Sequence, residues 1–567
     1  MAKKLAITIA GAVSLGSYEA GVAFEVLDAI AQHNLWAAQN SSSDERIEID
    51  VLTGASAGGM TVAMIAQRLL FDGPAMSLPY DNPLFNAWVT DIDITKLLTL
   101  GPKELPTHAV FSSDCVAAIS QAWLTARYAA SPIPPPQPHP ALPLDGNLQL
   151  GLALSNLNGV DYFRPTRSGG TFVYTDHQDQ HLFAMDKASS DRRDLWETIR
   201  STAVACGAFP IAFRVQDLYR NILDYPSPWL DRNLWAGAPS RYFTYTDGGV
   251  MQNEPLGMAK NLVDILPGGH LDAEQRGYLF VAPQPKKSSE VPYTTSASAD
   301  PGSAFGSANA NYKGVVQRLA ESVIGQAAFQ DWIVAEQVNE NLKKLDDRAS
   351  QLQALFLTGR LTAAQAKPVS DALLSAFFQV EGVMTTASIA NLQAARNQLE
   401  QQYALEYSKF GADTAAADAW IDAVLVLELA AGLHEKEEML IYDFVADPQM
   451  LAGDGLDAFG GFFDVAYRKH DYDYGRTMGQ QNLLAYQAQP GSVFANLHWT
   501  PKPIDPINPS LNNLQMSSVD KKKRQQVYSQ ISDAADALLQ ELDVNIFVRK
   551  GVMMFFIQPQ IKKMLAL

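Results

Sequence analysis

Over the first 285 residues, short apolar runs alternate with stretches whose apolar positions recur at helical spacing. LAITIA, from Leu5 to Ala10, holds the β-branched Ile7, Thr8 and Ile9 and is stopped by Gly11, and YEAGVAFEVLDAIAQ then takes up a helical period. The pairing repeats as IEIDVLTG and MTVAMIAQRLLF, and further strands are expected at FVYTD near Phe172, YFTYTD near Tyr242 and GYLFVAP near Tyr278. Strands alternating with helices predict an α/β unit over 1–285. Met1-Ala-Lys-Lys ahead of the first apolar run imitates a secretory signal, but a short β-branched run closed by glycine reads as a first strand. SPIPPPQPHPALP, from Ser131, suits neither a helix interior nor a central strand and is expected as a surface excursion.

Residues 286–314 are dominated by Ser, Ala, Gly and Pro without an apolar period, the composition of a flexible linker or lid. Over 315–450 the period becomes helical. Val338, Leu342, Leu345, Ala349, Leu352 and Phe356 form one stripe on one helix face, and later helical patterns predict an antiparallel helical arm. Each segment is too short in heptads for a partner-binding coiled coil to be preferred over packing within the chain. Residues 451–567 are expected to pack back on the α/β unit, so the fold reads as α/β with an added, mainly helical C-terminal region.

At 567 residues and 47% hydrophobic the chain is globular, and it lacks any run of eighteen apolar residues that would span a bilayer. Two cysteines, Cys115 and Cys206, cannot frame a disulfide scaffold, which suits a reducing compartment and a cytoplasmic location. A formal charge of -18 repels phosphate backbones, so nucleic acid is not expected as a partner. The stretch from Gly411 to Arg476 is dense in Asp and Glu and reads as a solvated face. Its cluster His470, Asp471 and Asp473 lacks further ligands at a recognised spacing, and neither metal nor cofactor is expected.

GASAG, from Gly54 to Gly58, fits G-x-S-x-G between a strand and a helix, the arrangement of a nucleophile elbow. The tight turn requires glycine at 54 and 58, and it would set Ser56 at a helix N-terminus, whose positive end favours a developing alkoxide. None of the nine histidines stands in a distinctive motif. Asp247, in YTDGGVMQNEP, offers an alternative base, because a strand ending in Asp-Gly-Gly (Asp247, Gly248, Gly249) exposes a carboxylate at the strand end where open α/β sheets collect their sites. The loop GAVSLG, from Gly11 to Gly16, could present backbone N–H groups to an oxyanion.

In order, the loop, the elbow and the Asp-Gly-Gly turn resemble the patatin-like phospholipase family, together with STAVACGAFPIAF from Ser201 and with Asn253 and Pro255 after the turn. FGGFFDVAYRKHDYDYGR, from Phe459, is similar to a stretch of the long bacterial patatin-related branch. The resemblance implies a three-layer α/β/α domain, Ser56 as nucleophile, Asp247 as general base and an oxyanion loop of Gly11, Ala12 and Val13. It further implies a lipid or phospholipid ester as substrate, with contact at a membrane surface. The chain departs from the family's loop, which usually has three consecutive glycines and, two residues later, Arg or Lys before the next Gly, since Gly11-Ala12-Val13 is followed here by Ser14, Leu15 and Gly16. That departure supports a rival reading, a weak or inactive patatin-fold scaffold acting through its helical arm. A histidine-dependent esterase of the α/β-hydrolase type is a third. For membrane contact the tail from Val544 offers an interfacial pattern, but Gly551 and Pro559 should break its helix, which favours a packed element.

Overall fold

A computed structural model describes residues 2–567 except 43–44, 166–169, 267–274, 284–329, 380–382, 432–438, 455–457 and 543. The expected linker or lid at 286–314 thus lies outside the described residues.

Among the described residues, eight strands form one mixed sheet: β1 (Lys3–Ile9), β2 (Ile47–Gly54), β3 (Asn147–Pro165), β4 (Thr171–Asp186), β5 (Gln216–Asn221), β6 (Ser240–Asp247), β7 (Arg276–Pro283) and β8 (Ile441–Ala446). Their order is β5-β6-β3-β2-β1-β7-β8, with β4 paired to β3 off this path. β1 lies parallel between β2 and β7, whereas β3, β4, β5 and β6 pair antiparallel with one another. Every residue of β2 is buried, so both of its faces are covered, as a parallel strand at the centre of a three-layer α/β/α domain requires. The run that imitates a signal is β1, an interior strand of this sheet.

Each of the five expected strands is present, and β3, β5 and β8 are additions. β8 corrects the reading of 315–450 as helical throughout, because IYDFVA alternates buried and less buried residues along a strand beside β7. Two compact units result, one of residues 1–331 with 440–567 and one of 332–439. Within the second, Ala349 and Phe356 of the expected stripe are buried with Trp420, Val424 and Leu425 of the helix Thr414–Ala431, and Leu352 packs against them.

In the first unit, α1 (Gly16–Gln39) crosses the helix Val465–Gln487 at backbone contact. A Cβ on Gly21 would stand 2.1 Å from the Tyr472 carbonyl oxygen, and one on Gly475 would stand 2.1 Å from that of Tyr18. Arg476 Nε donates to Glu25 Oε1 at 2.6 Å across the same crossing, a fully buried ion pair. The tail is helical from Ile546 to Met564 and is not broken at Gly551 or Pro559, since a π-turn over Met553–Ile557 accommodates the proline that follows. Met553, Ile561 and Leu565 are buried, the latter two in one apolar cluster with Phe462 and Val527, which makes the tail a packed element. No helix among the described residues is long and apolar enough to cross a membrane.

Candidate active site

β2 ends at Gly54, Ala55 stays extended, and Ser56 turns into the left-handed region at φ 50° as it opens α2 (Ser56–Phe71). A non-glycine residue there is strained and persists only where its surroundings over-determine it. Here they do so locally. A Cβ on Gly58 would lie 2.3 Å from the carbonyl oxygens of Ile9 and Ala10, and one on Gly54 would lie 2.6 Å from Gly58 backbone, so the turn closes on itself and on β1. Buried Cys206 fills the remaining gap against Gly59, and burial pushes its thiol up, leaving it protonated.

Opposite the elbow, β6 delivers Asp247. Its N–H donates to Ala208 O at 2.9 Å and its own carbonyl accepts from Ser155 Oγ at 2.8 Å. Ser56 Oγ donates to Asp247 Oδ2 at 2.5 Å, and Gly249 N–H donates to Oδ1 at 2.7 Å. Gly248 is seated against the Ala153 carbonyl with no room for a side chain. Asp247 is 1% exposed, and loss of hydration pushes its carboxyl up to about 7, although the bonds from Ser56 and Gly249 pull the other way.

The loop between β1 and α1 forms the third side. Gly11 N–H donates to Asn253 O at 3.1 Å, so it is committed to the fold, and Asn253 Nδ2 donates back to Gly11 O at 3.3 Å. A Cβ on Gly11 would stand 2.2 Å from Asn253 Oδ1 and 3.0 Å from Ser56 Cβ, which sets the loop directly against the serine. Among the described residues the N–H groups of Ala12 and Val13 have no partner. Val13 is left-handed at φ 51°. With the N–H groups in the first turn of α2, the loop offers donors beside Ser56.

Among the described residues no histidine hydrogen-bonds Ser56 or Asp247. His177 reaches Asn156 O, His181 faces Thr202 Oγ1, and His33 binds Glu45 O and the His498 N–H. His270 and His434 lie outside the described residues. His470 is held between Asp471 and Asn512, while Asp473 accepts from Tyr80 and Lys469, so the acidic cluster is spent on protein partners.

The sequence model of the patatin-like phospholipase family matches residues 7–260, a span that contains Gly11, Ser56, Asp247 and Asn253. Residues 7–260 are a patatin-like phospholipase domain. No curated protein matches the chain. Among solved structures, VipD from Legionella pneumophila is similar at 12% identity and a TM-score of 0.20, over 88% of this chain and 91% of that one, too loose a likeness to inform the fold. The patatin-like domain ends before β7, yet contacts from beyond it reach the site. Ser14, the residue after Val13, is held by Ala458 and Gly461, a connection that local sequence could not signal.

Proposed function

We propose that the chain is a serine-dependent lipid acyl hydrolase of the phospholipase A type, acting on carboxylic esters through Ser56 and Asp247. One observation carries this reading: a serine strained at an elbow donates, within a buried site, to a carboxylate that burial has made basic. Membership of residues 7–260 in a phospholipase family supports a lipid as the substrate class.

Asp247 accepts the Ser56 hydroxyl proton as Oγ attacks the ester carbonyl. An exposed aspartate near pKa 4 is a weak base for serine, and at about 7 the carboxylate is far better matched to working pH. The oxyanion forms beside the N–H groups of Ala12 and Val13 and the first turn of α2, whose positive end favours it. The proton passes from Asp247 to the departing alcohol, leaving an acyl-serine. Water then gives a proton to Asp247 as it attacks the acyl-serine, and Asp247 returns that proton to Ser56 Oγ as the acyl–oxygen bond breaks and the fatty acid leaves.

Fluorophosphonate labelling of purified protein tests activation without presupposing the lipid. Wild type should label at Ser56, and Ser56→Ala and Asp247→Asn should not. A panel of phospholipid vesicles then identifies the ester and the released acid. Labelling retained in either folded variant would overturn the dyad, and a folded wild type that never labels would favour the scaffold reading.

A further inference from the structure

Val13 presents a difficulty that the patatin-like domain does not resolve by itself. A β-branched residue at φ 51° is strained and persists only where its neighbours impose it, and glycine, which would take the conformation freely, is absent. The neighbours that impose it come from some 440 residues downstream. Ser14 N–H donates to Ala458 O at 3.1 Å, Ser14 Oγ donates to the same oxygen, and Gly461 N–H donates to Ser14 Oγ at 3.1 Å. Ala458 is itself left-handed at φ 59°, which aims its carbonyl at the loop. A Cβ on Gly461 would stand 2.7 Å from Ser14 Oγ, so only glycine permits the approach. Further back, Asp471 accepts the N–H groups of Ala452 and Gly453 at 2.7 and 3.0 Å, and Arg468 donates to the carbonyls of Gly461 and Phe462. Phe459 packs on Phe209, next to the Ala208 carbonyl that anchors Asp247.

We propose that Ser14, clamped by Ala458 and Gly461, is a positioning residue for ester hydrolysis: the C-terminal segment holds Val13 left-handed and thereby aims the loop's N–H groups at the oxyanion. This rests on the ester-hydrolase reading of the site. It makes the region after residue 450 a working part of the catalytic centre, and it gives a physical reason why this loop functions without its missing glycines.

The test uses the full chain with Ser14→Ala, Gly461→Ala and the double variant Ser14→Ala/Val13→Gly. On a soluble ester, Ser14→Ala should lower kcat by about 10- to 100-fold with KM within about twofold, short of the loss of a whole donor. Adding Val13→Gly should recover a large part of that loss, because glycine needs no clamp to reach φ > 0. Gly461→Ala should fall like Ser14→Ala. Hydrogen exchange of peptides covering residues 10–16 provides a readout free of activity and should quicken at least about tenfold in both single variants. Exchange unchanged from wild type would overturn the clamp. Quickened exchange with unchanged kcat would overturn its role in turnover, as would a loss that Val13→Gly does not relieve. Should wild type neither hydrolyse esters nor label with fluorophosphonate, the hydrolase reading fails, and the exchange arm still decides the clamp.

Discussion

The two strand-to-helix turns that meet at the site solve one problem in opposite ways. The elbow after β2 and the loop after β1 each hold a non-glycine residue left-handed, Ser56 at φ 50° and Val13 at φ 51°. The elbow is enforced by neighbours, with Gly54 against Gly58 and Gly58 against the end of β1. The loop is enforced from afar, by Asn253 on one side and by Ala458 and Gly461 on the other. Strain that local backbone over-determines leaves a pentapeptide signature, and strain held by distant segments leaves none. A loop whose sequence looks degraded can therefore be intact.

The largest effect expected is on the elbow's own chemistry. Ser56→Ala and Asp247→Asn should each lower kcat/KM by about 10⁴-fold or more with folding intact, checked by circular dichroism and steady-state kinetics. Gly58→Ala comes next, since its Cβ would meet two β1 carbonyl oxygens at 2.3 Å and the backbone must move. Turnover should fall by about 100-fold or more and the unfolding midpoint by several degrees, because the same contact carries both strain and packing. A Gly58→Ala protein with wild-type turnover would break the contrast, since the elbow would not depend on its local glycines.

That contrast also explains what the sequence made legible. IEIDVLTG-ASAGG and the Asp247-Gly248-Gly249 turn are contiguous, so their spacing led to two side chains that the fold brings within 2.5 Å. Gly11 was expected as a donor, and its N–H is instead tied to Asn253 O, a pairing across 242 positions that no local pattern encodes. β5 and β8 escaped notice because each is six residues long, with a pattern that only the neighbouring strand makes a ladder. FGGFFDVAYRKHDYDYGR was conspicuous as a resemblance but physically mute. Its Gly461, Asp471, Gly475 and Arg476 acquire meaning only against Ser14, the 452–453 backbone, Tyr18 and Glu25.

A pH profile sharpens the comparison further. With Asp247 pushed up to about 7, the base form is lost below that pH, so kcat/KM should fall about tenfold per unit on the acid side and level off above it. The loop contributes backbone N–H groups that do not titrate. Ser14→Ala should therefore lower the plateau and leave the midpoint near 7. A midpoint that moves with Ser14→Ala would mean that the loop tunes the base as well as the oxyanion, and the two turns would no longer be separable.

The smallest effect concerns stability. Because burial raises the Asp247 pKa, the folded state holds this proton more tightly than the unfolded chain, and the stabilisation is complete below the ordinary Asp pKa near 4. It is lost as pH rises towards 7, above which the protein must keep a desolvated charge. Asp247→Asn removes that charge while keeping the shape. The unfolding midpoint of Asp247→Asn relative to wild type should therefore be higher at pH 8.5 than at pH 5.0, with the change confined to the window between about 4 and 7. Gly461→Ala, which alters no titrating group, should show the same offset from wild type at both pH values. A pH-independent offset for Asp247→Asn would mean that the carboxylate is solvated in solution and that the elbow, like the loop, depends on something beyond its own neighbourhood.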